Sequence, residues 1–263
     1  MPKLAANLSM LFPQIDFLDR FAAAANAGFR AVEYQYPYAW KPEELASRAR
    51  AAGVEVVLHN MPRGDPQRSE HGTACLPGRE ARFRDDLEIA VRYARAAGCR
   101  RVHCMAGIAP PDADRARLHA TYVSNLKYAA RRLADEGMQL LIEPLSERTV
   151  EGCFLSGSAQ AARTLDEVGA PNAFIQYDLF HMQIMEGNLA ATIERLLPRI
   201  GHMQLADVPG RHEPGTGEIN FTYLLAHIDR VGYSGWIGCE YNPLGDTVEG
   251  LKWAQPYLRG KEK

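Results

Sequence analysis

Extended and helical patterns alternate eight times along this chain, and no other feature restricts its fold so tightly. Lys3–Asn7 reads as a first short strand. Asp16 is placed to cap a helix whose apolar side is Phe17, Leu18, Phe21, Ala24 and Ala25, and Gly28 stops it. Ala31–Gln35 reads as the second strand, and Pro42–Ala52 as a helix with proline in its first turn and Gly53 at its end. Val54–His59 is a β-rich third strand. Gly78–Ala97 is a long charged helix closed by Gly98. Arg101–Met105 is strand four, and Ala113–Glu136 the helix that Gly137 ends. Four more pairs follow: Gln139–Glu143 with Ser158–Val168, Ala173–Asp178 with a helix reaching about Leu197, Ile200–Ala206 with Phe221–Val231, and Trp236–Glu240 with Thr247–Leu258.

Such alternation implies a parallel sheet, and eight units in 263 residues fit a closed (β/α)8 TIM barrel spanning 1–263 as one α/β domain. No Gly-x-Gly-x-x-Gly follows the first strand, so a dinucleotide fold loses its main support. One segment breaks the rhythm. Asn60–Pro77 is rich in Gly, Pro, His and charge and reads as an inserted loop, of a length that is usually functional or mobile.

In closed α/β barrels chemistry gathers at the C-terminal ends of the strands. There LLIE ends on Glu143, FIQYD on Asp178, GHMQ on Gln204 and WIGCE on Glu240. The intervals are 35, 26 and 36 residues, close to one strand–helix unit each, so the four groups come from strands five to eight and converge. Three carboxylates forced together must protonate or share a cation. Oxygen donors favour a hard ion, which makes Mg2+ or Mn2+ the expected cofactor, with two coordination positions left for adjacent substrate oxygens.

Other polar residues sit near the same rim. His181 leaves the strand of Asp178 in DLFH and reads as a substrate contact. His59 and His103 end strands three and four, where they either line the pocket or satisfy backbone groups. Arg211 and His212 lie in a Gly- and Pro-rich loop, and the planar fork of Arg211 suits a carboxylate. Glu33 ends strand two in the lumen or serves structure. Asp85, Asp86, Glu88 and Arg92 read as the solvated face of a helix.

The net charge of −2 gives no support to nucleic-acid binding, and no run approaches the ~20 apolar residues of a membrane span. The first ten residues lack the charge and apolar length of a signal peptide. Five irregularly spaced cysteines, Cys75, Cys99, Cys104, Cys153 and Cys239, suggest a reduced, cytoplasmic chain. A homo-oligomer is compatible with all of this.

At AANLSMLF, AGFRAVEYQYPY, LLIEPLS, QYDLFHMQ, DVPGRHEPGTGEIN and GCEYNP the chain resembles the hydroxypyruvate isomerase family, within the xylose-isomerase-like barrels, over essentially its whole length. The resemblance implies that Glu143, Asp178, Gln204 and Glu240 hold one divalent metal. It implies that Glu143 and Glu240 move the proton, and that His181 and Arg211 touch the substrate. Relatives carry histidine where this chain has Gln204, and EGCFLSGS matches only loosely. The implied reaction interconverts hydroxypyruvate and tartronate semialdehyde through a metal-stabilised enediolate. A neighbouring branch isomerises four-carbon 2-oxo-tetronates. Two further readings share the barrel. One is an endonuclease IV-like hydrolase with His59, His103 and His181 on zinc. The other is a non-catalytic sugar-acid binding barrel, against which both glutamates argue.

Overall fold

The first and last strands are hydrogen-bonded neighbours. In a computed structural model that describes residues 1–65, 67 and 70–258, β1 (Lys3–Asn7) pairs in parallel with β8 (Trp236–Cys239), Leu4 opposite Ile237 and Ala6 opposite Cys239. Between them run β2 (Ala31–Tyr34), β3 (Glu55–Asn60), β4 (Arg101–His103), β5 (Gln139–Ile142), β6 (Ala173–Asp178) and β7 (Ile200–Leu205), all parallel and in sequence order around a closed barrel. The last five positions of the expected 1–263 span, and positions 66, 68 and 69 of the expected loop, lie outside the described residues.

Outside the barrel lie α1 (Arg20–Asn26), α2 (Pro42–Ala52), α3 (Glu80–Ala97), α4 (Arg115–Ala134), α5 (Ser158–Val168), α6 (Leu179–Met185), α7 (Leu189–Leu196), α8 (Phe221–Arg230), α9 (Thr247–Gly250) and α10 (Gln255–Leu258). Their apolar stripes bury residues such as Leu45, Leu87, Leu126 and Ile193 against the strands. Among the described residues no helix is long and apolar enough to cross a membrane. All five cysteines are unpaired and buried. Burial pushes the Cys75 and Cys99 thiols up to about 12 and that of Cys153 up to about 11, so none is poised as a nucleophile.

Several sequence expectations need correction. The helix after β6 is two helices, because Gly187 and Asn188 take left-handed backbone angles between them. The closing helix is likewise α9 and α10 joined by a 3-10 turn at Leu251–Ala254. Asp16 precedes a 3-10 turn at Phe17–Asp19 but makes no side-chain cap bond. The capping carboxylate at α4 is Asp114, which accepts from the amides of Ala116 and Arg117. Asp86 is not solvated: it is buried, and both its oxygens accept from Arg82 Nε one turn earlier at 2.9 Å, whereas Asp85, Glu88 and Arg92 are exposed as expected.

Strand residues alternate between the helix layer and the lumen. The floor of the lumen is apolar, with Ala5, Ala31 and Val57 packed against Trp236. Two residues further along the strands the buried side chains become polar: Asn7, Glu33 and His59, joined by His103, Gln176, Asp178, His202 and Gln204. The ladder slips at Val32/Glu33 and at Ile175/Gln176, where the chain enters this polar layer.

Candidate active site

Glu143 lies just past β5, Asp178 ends β6, and Glu240 lies just past β8. All three carboxylates are buried, Asp178 completely. Ligand atoms of Glu143, Asp178 and His181 fall within 4.8 Å of one another. Two like charges at that separation repel by roughly 3–4 kcal/mol at an effective dielectric of about 20, so the trio demands a counter-charge or a proton. Accordingly, loss of hydration pushes the Asp178 carboxyl up to about 6 and that of Glu240 up to about 7. Glu143 rises well above the carboxylate range from burial first, then from Glu240 and Asp178.

Arg211 supplies part of the counter-charge. Its Nη2 donates to Glu240 Oε2 at 2.7 Å and lies 3.4 Å from Asp178 Oδ2, with the guanidinium 4.9 Å from the Phe180 ring centre. The residue has φ +55°, a left-handed angle that a non-glycine holds only when its loop over-determines it. Asp207 does so from inside the loop. Its Oδ1 accepts from the amides of Val208 and Ile219, both at 3.0 Å, and its Oδ2 from those of Gly215 and Gly217, both at 2.9 Å. The backbone of Arg211 is tied at both ends, its N–H to the Asp207 carbonyl and its carbonyl to the Asn242 amide, each at 2.9 Å.

His181 belongs to the carboxylate group by distance but not by chemistry. The backbone N–H of Ser146 donates to His181 Nδ1 at 3.2 Å, so that nitrogen carries the lone pair. Burial holds the ring's pKa well below the usual histidine range. A neutral ring accepting at Nδ1 carries its proton on Nε2, which lies 3.6 Å from Asp178 Oδ2. His181 therefore offers the site an N–H donor, not a metal-ligating lone pair.

Gln204 stands opposite Asp178 in the β6–β7 ladder. Its Nε2 donates to Glu33 Oε1 at 2.8 Å, and its Oε1 accepts from Gln176 Nε2 at 2.6 Å. His103 Nδ1 meets Asn60 Oδ1 at 3.1 Å and lies 3.7 Å from Glu143, while His59 Nδ1 lies 3.1 Å from the Asn60 carbonyl. Both rings are kept neutral by burial, His59 pushed down to about 4 and His103 to about 3. His103 adjoins Glu143, but neither His59 nor His103 belongs to the group of Glu143, Asp178 and His181. His212 turns away, its Nδ1 on the Asn242 carbonyl at 2.7 Å.

Sequence reasoning missed several neighbours. Gln35 Nε2 donates to Glu240 Oε1 at 2.7 Å, and Asn7 Nδ2 bridges Glu240 Oε1 and Glu33 Oε1 at 3.2 and 2.9 Å. Both stand at the ends of the first two strands, where rim position was the available signal. Arg63, from the 60–77 loop, stacks 5.8 Å from the Tyr36 ring centre, and Tyr36 donates to Met105 Sδ at 3.0 Å.

A divalent cation fits these residues. Glu143 Oε1 is buried without a protein partner, oxygens of Glu143 and Asp178 lie within 4.8 Å of each other, Glu240 shares Arg211 with Asp178, and Gln204 on the adjoining strand carries a neutral oxygen that Gln176 now meets. The donors are all oxygens, which suits a hard ion.

The family described as xylose isomerase-like TIM barrel matches residues 21–257. The chain is 48% identical over 257 residues to the hydroxypyruvate isomerase of Escherichia coli K12, covering 98% of this chain and 100% of that one. It is 49% identical over 258 residues to a 2-oxo-tetronate isomerase of Cupriavidus necator, covering 98% and 99%. Among solved structures, a Brucella melitensis protein described as AP endonuclease, family 2 superposes with a TM-score of 0.96 at 44% identity, covering 98% and 99%.

Proposed function

We propose that this chain, which belongs to the hydroxypyruvate isomerase family of xylose isomerase-like TIM barrels and is an isomerase, interconverts hydroxypyruvate and tartronate semialdehyde on one divalent cation. Glu143, Asp178, Gln204 and Glu240 would hold the cation, Mg2+ or Mn2+. The observation that carries this reading is the convergence of three buried carboxylates at the barrel mouth, beyond what Arg211 neutralises. When bound, the cation would supply Lewis acidity to the substrate, an effect worth several kcal/mol.

The chain's own groups account for the proton. Glu143 and Glu240 stand on β5 and β8, three strands apart around the rim, so they address the substrate from different sides. One carboxylate removes the proton from the carbon beside the carbonyl, and the other carboxyl returns one at the neighbouring carbon. That Glu143 Oε1 is buried with no protein partner supports giving this carboxyl a part in the chemistry. Asn7 and Gln35 hold Glu240 by Oε1, which fixes its orientation. His181 donates a hydrogen bond from its Nε2–H to a substrate oxygen.

Arg211 is the clamp for the substrate's own carboxylate. With a cation bound at the carboxylates, the Arg211 guanidinium fork would be free to pair with the substrate's carboxylate. Arg63 at the mouth adds a second positive group, consistent with an acidic substrate. The chain works as a single domain and in the cytoplasm on this account, with no nucleic-acid or membrane partner.

Near-equal identity to enzymes named for three- and four-carbon acids leaves substrate length as the open variable. NMR of the cation-loaded protein with hydroxypyruvate and with a 2-oxo-tetronate decides it. Faster turnover of hydroxypyruvate is expected. Turnover of the four-carbon acid alone would reassign the substrate, and turnover of neither would refute the reaction class.

A further inference from the structure

Glu33 is fully buried in the lumen and forms no part of the carboxylate cluster, yet three N–H donors from two other strands converge on it. Asn7 Nδ2 and Gln204 Nε2 donate to its Oε1 at 2.9 and 2.8 Å, and His202 Nε2 meets its Oε2 at 2.6 Å. The backbone makes room for it. The β2–β3 ladder slips at Val32/Glu33, and a Cβ at Gly238 on β8 would run into the Glu33 carboxylate.

A glutamine side chain is nearly symmetric in shape, but its two ends are opposite in chemistry. An NH2 turned toward a cation repels it, and an oxygen binds it. A carboxylate is acceptor-only, so it admits only the Nε2 end of Gln204. The Oε1 end is thereby turned the other way, where it accepts from Gln176 Nε2 at 2.6 Å. Glu33 thus fixes which atom Gln204 can offer.

We propose that Glu33 is the positioning residue that makes Gln204 a cation ligand, by locking its amide with Nε2 on Glu33 and the oxygen on the opposite side, where Gln176 now meets it. The inference rests on the cation reading of the site. Groups just behind metal ligands commonly change metal affinity by about 10–100-fold when replaced. Glu33→Gln keeps the shape but replaces one acceptor oxygen with a donor, so the Asn7, Gln204 and His202 donors can no longer all be met and the Gln204 amide loses its lock.

The test is Mn2+ titration of the full-length, chelator-stripped protein, followed by electron paramagnetic resonance, with no assay of activity. Glu33→Gln should raise the Mn2+ dissociation constant by about 10–100-fold. In a Gln204→Ala background the same change should have little further effect, because the ligand it positions is gone. An unchanged dissociation constant in Glu33→Gln overturns the proposal, even if the variant melts earlier, since that would mark a purely structural role. An equal loss in both backgrounds also overturns it, by routing the effect away from Gln204. If Glu33→Gln does not fold, Glu33→Asp, which withdraws both oxygens by one methylene, is read by the same criteria. Wild-type protein that binds no Mn2+ would overturn the cation reading and this inference together, whereas binding by wild type with equal binding by Glu33→Gln overturns only the latter.

Discussion

Arg211 Nη2 lies 2.7 Å from Glu240 Oε2, so the proposed substrate clamp and a proposed proton-transfer group are in direct contact. The loop that sets this contact is held by the four amides on Asp207, not by the arginine itself. Replacing the arginine should therefore leave the loop standing.

Arg211→Lys keeps the charge and loses the planar fork. We expect KM for the acid substrate to rise by about 10-fold or more, from the loss of a charge-assisted hydrogen bond worth about 1.5–3 kcal/mol, with Mn2+ affinity kept. Steady-state kinetics beside a metal titration checks this. Wild-type kinetic constants would remove Arg211 from the clamp role.

His181 separates ligation from substrate contact. If its Nε2 carries a proton, as the Ser146 amide on Nδ1 requires, His181→Ala should weaken substrate binding and leave the Mn2+ dissociation constant nearly unchanged. A collapse of Mn2+ affinity in this variant would mean that the ring binds through a lone pair after all.

The carboxylates also predict a pH dependence. Glu240 is pushed from the ordinary 4.5 up to about 7, and Glu143 well above the usual range. A carboxyl with a raised folded-state pKa contributes stability that is full below its unfolded value and lost as pH rises through the folded value. His59 and His103 work in the opposite sense, but only below the ordinary histidine value of 6.5. The interval from 6.5 to about 8 therefore isolates the carboxylates. The metal-free protein should melt at progressively lower temperature across it, and saturating Mg2+ should flatten the trend. Because protons compete for the same oxygens, cation affinity should fall as pH drops below about 7. A metal-free melting temperature that stays constant over this interval would contradict the charge balance described for the site.

The barrel was legible in the sequence because its signals are local. Strand–helix alternation, Gly53 and Gly98 in left-handed caps, and polar residues closing apolar runs all sit within short windows. Glu143, Asp178, Gln204 and Glu240 were reached from strand-end position, and the structure brings them to one rim. The roles of Asn7, Gln35 and Glu33 were not legible, because each depends on a partner some 26 to 233 residues away that no local pattern marks. The His181 tautomer likewise depends on an amide from the loop after β5. The burial of Asp86 was missed because it sits on the packed face of α3 with Phe83, Leu87 and Ala90, where Arg82 pairs with it.

Solvent-deuterium incorporation tests the central claim most directly. Wild-type protein saturated with Mg2+ in D2O should place deuterium on the carbon beside the carbonyl of hydroxypyruvate, and a chelator should stop it. Glu143→Gln and Glu240→Gln should each lose at least about 10²-fold in exchange rate, the typical contribution of a general acid–base group, at metal concentrations shown to load each variant. Recovery on adding metal would assign that glutamate mainly to ligation. Exchange at the wild-type rate in both loaded variants, or full exchange in a demonstrably metal-free preparation, would contradict the account.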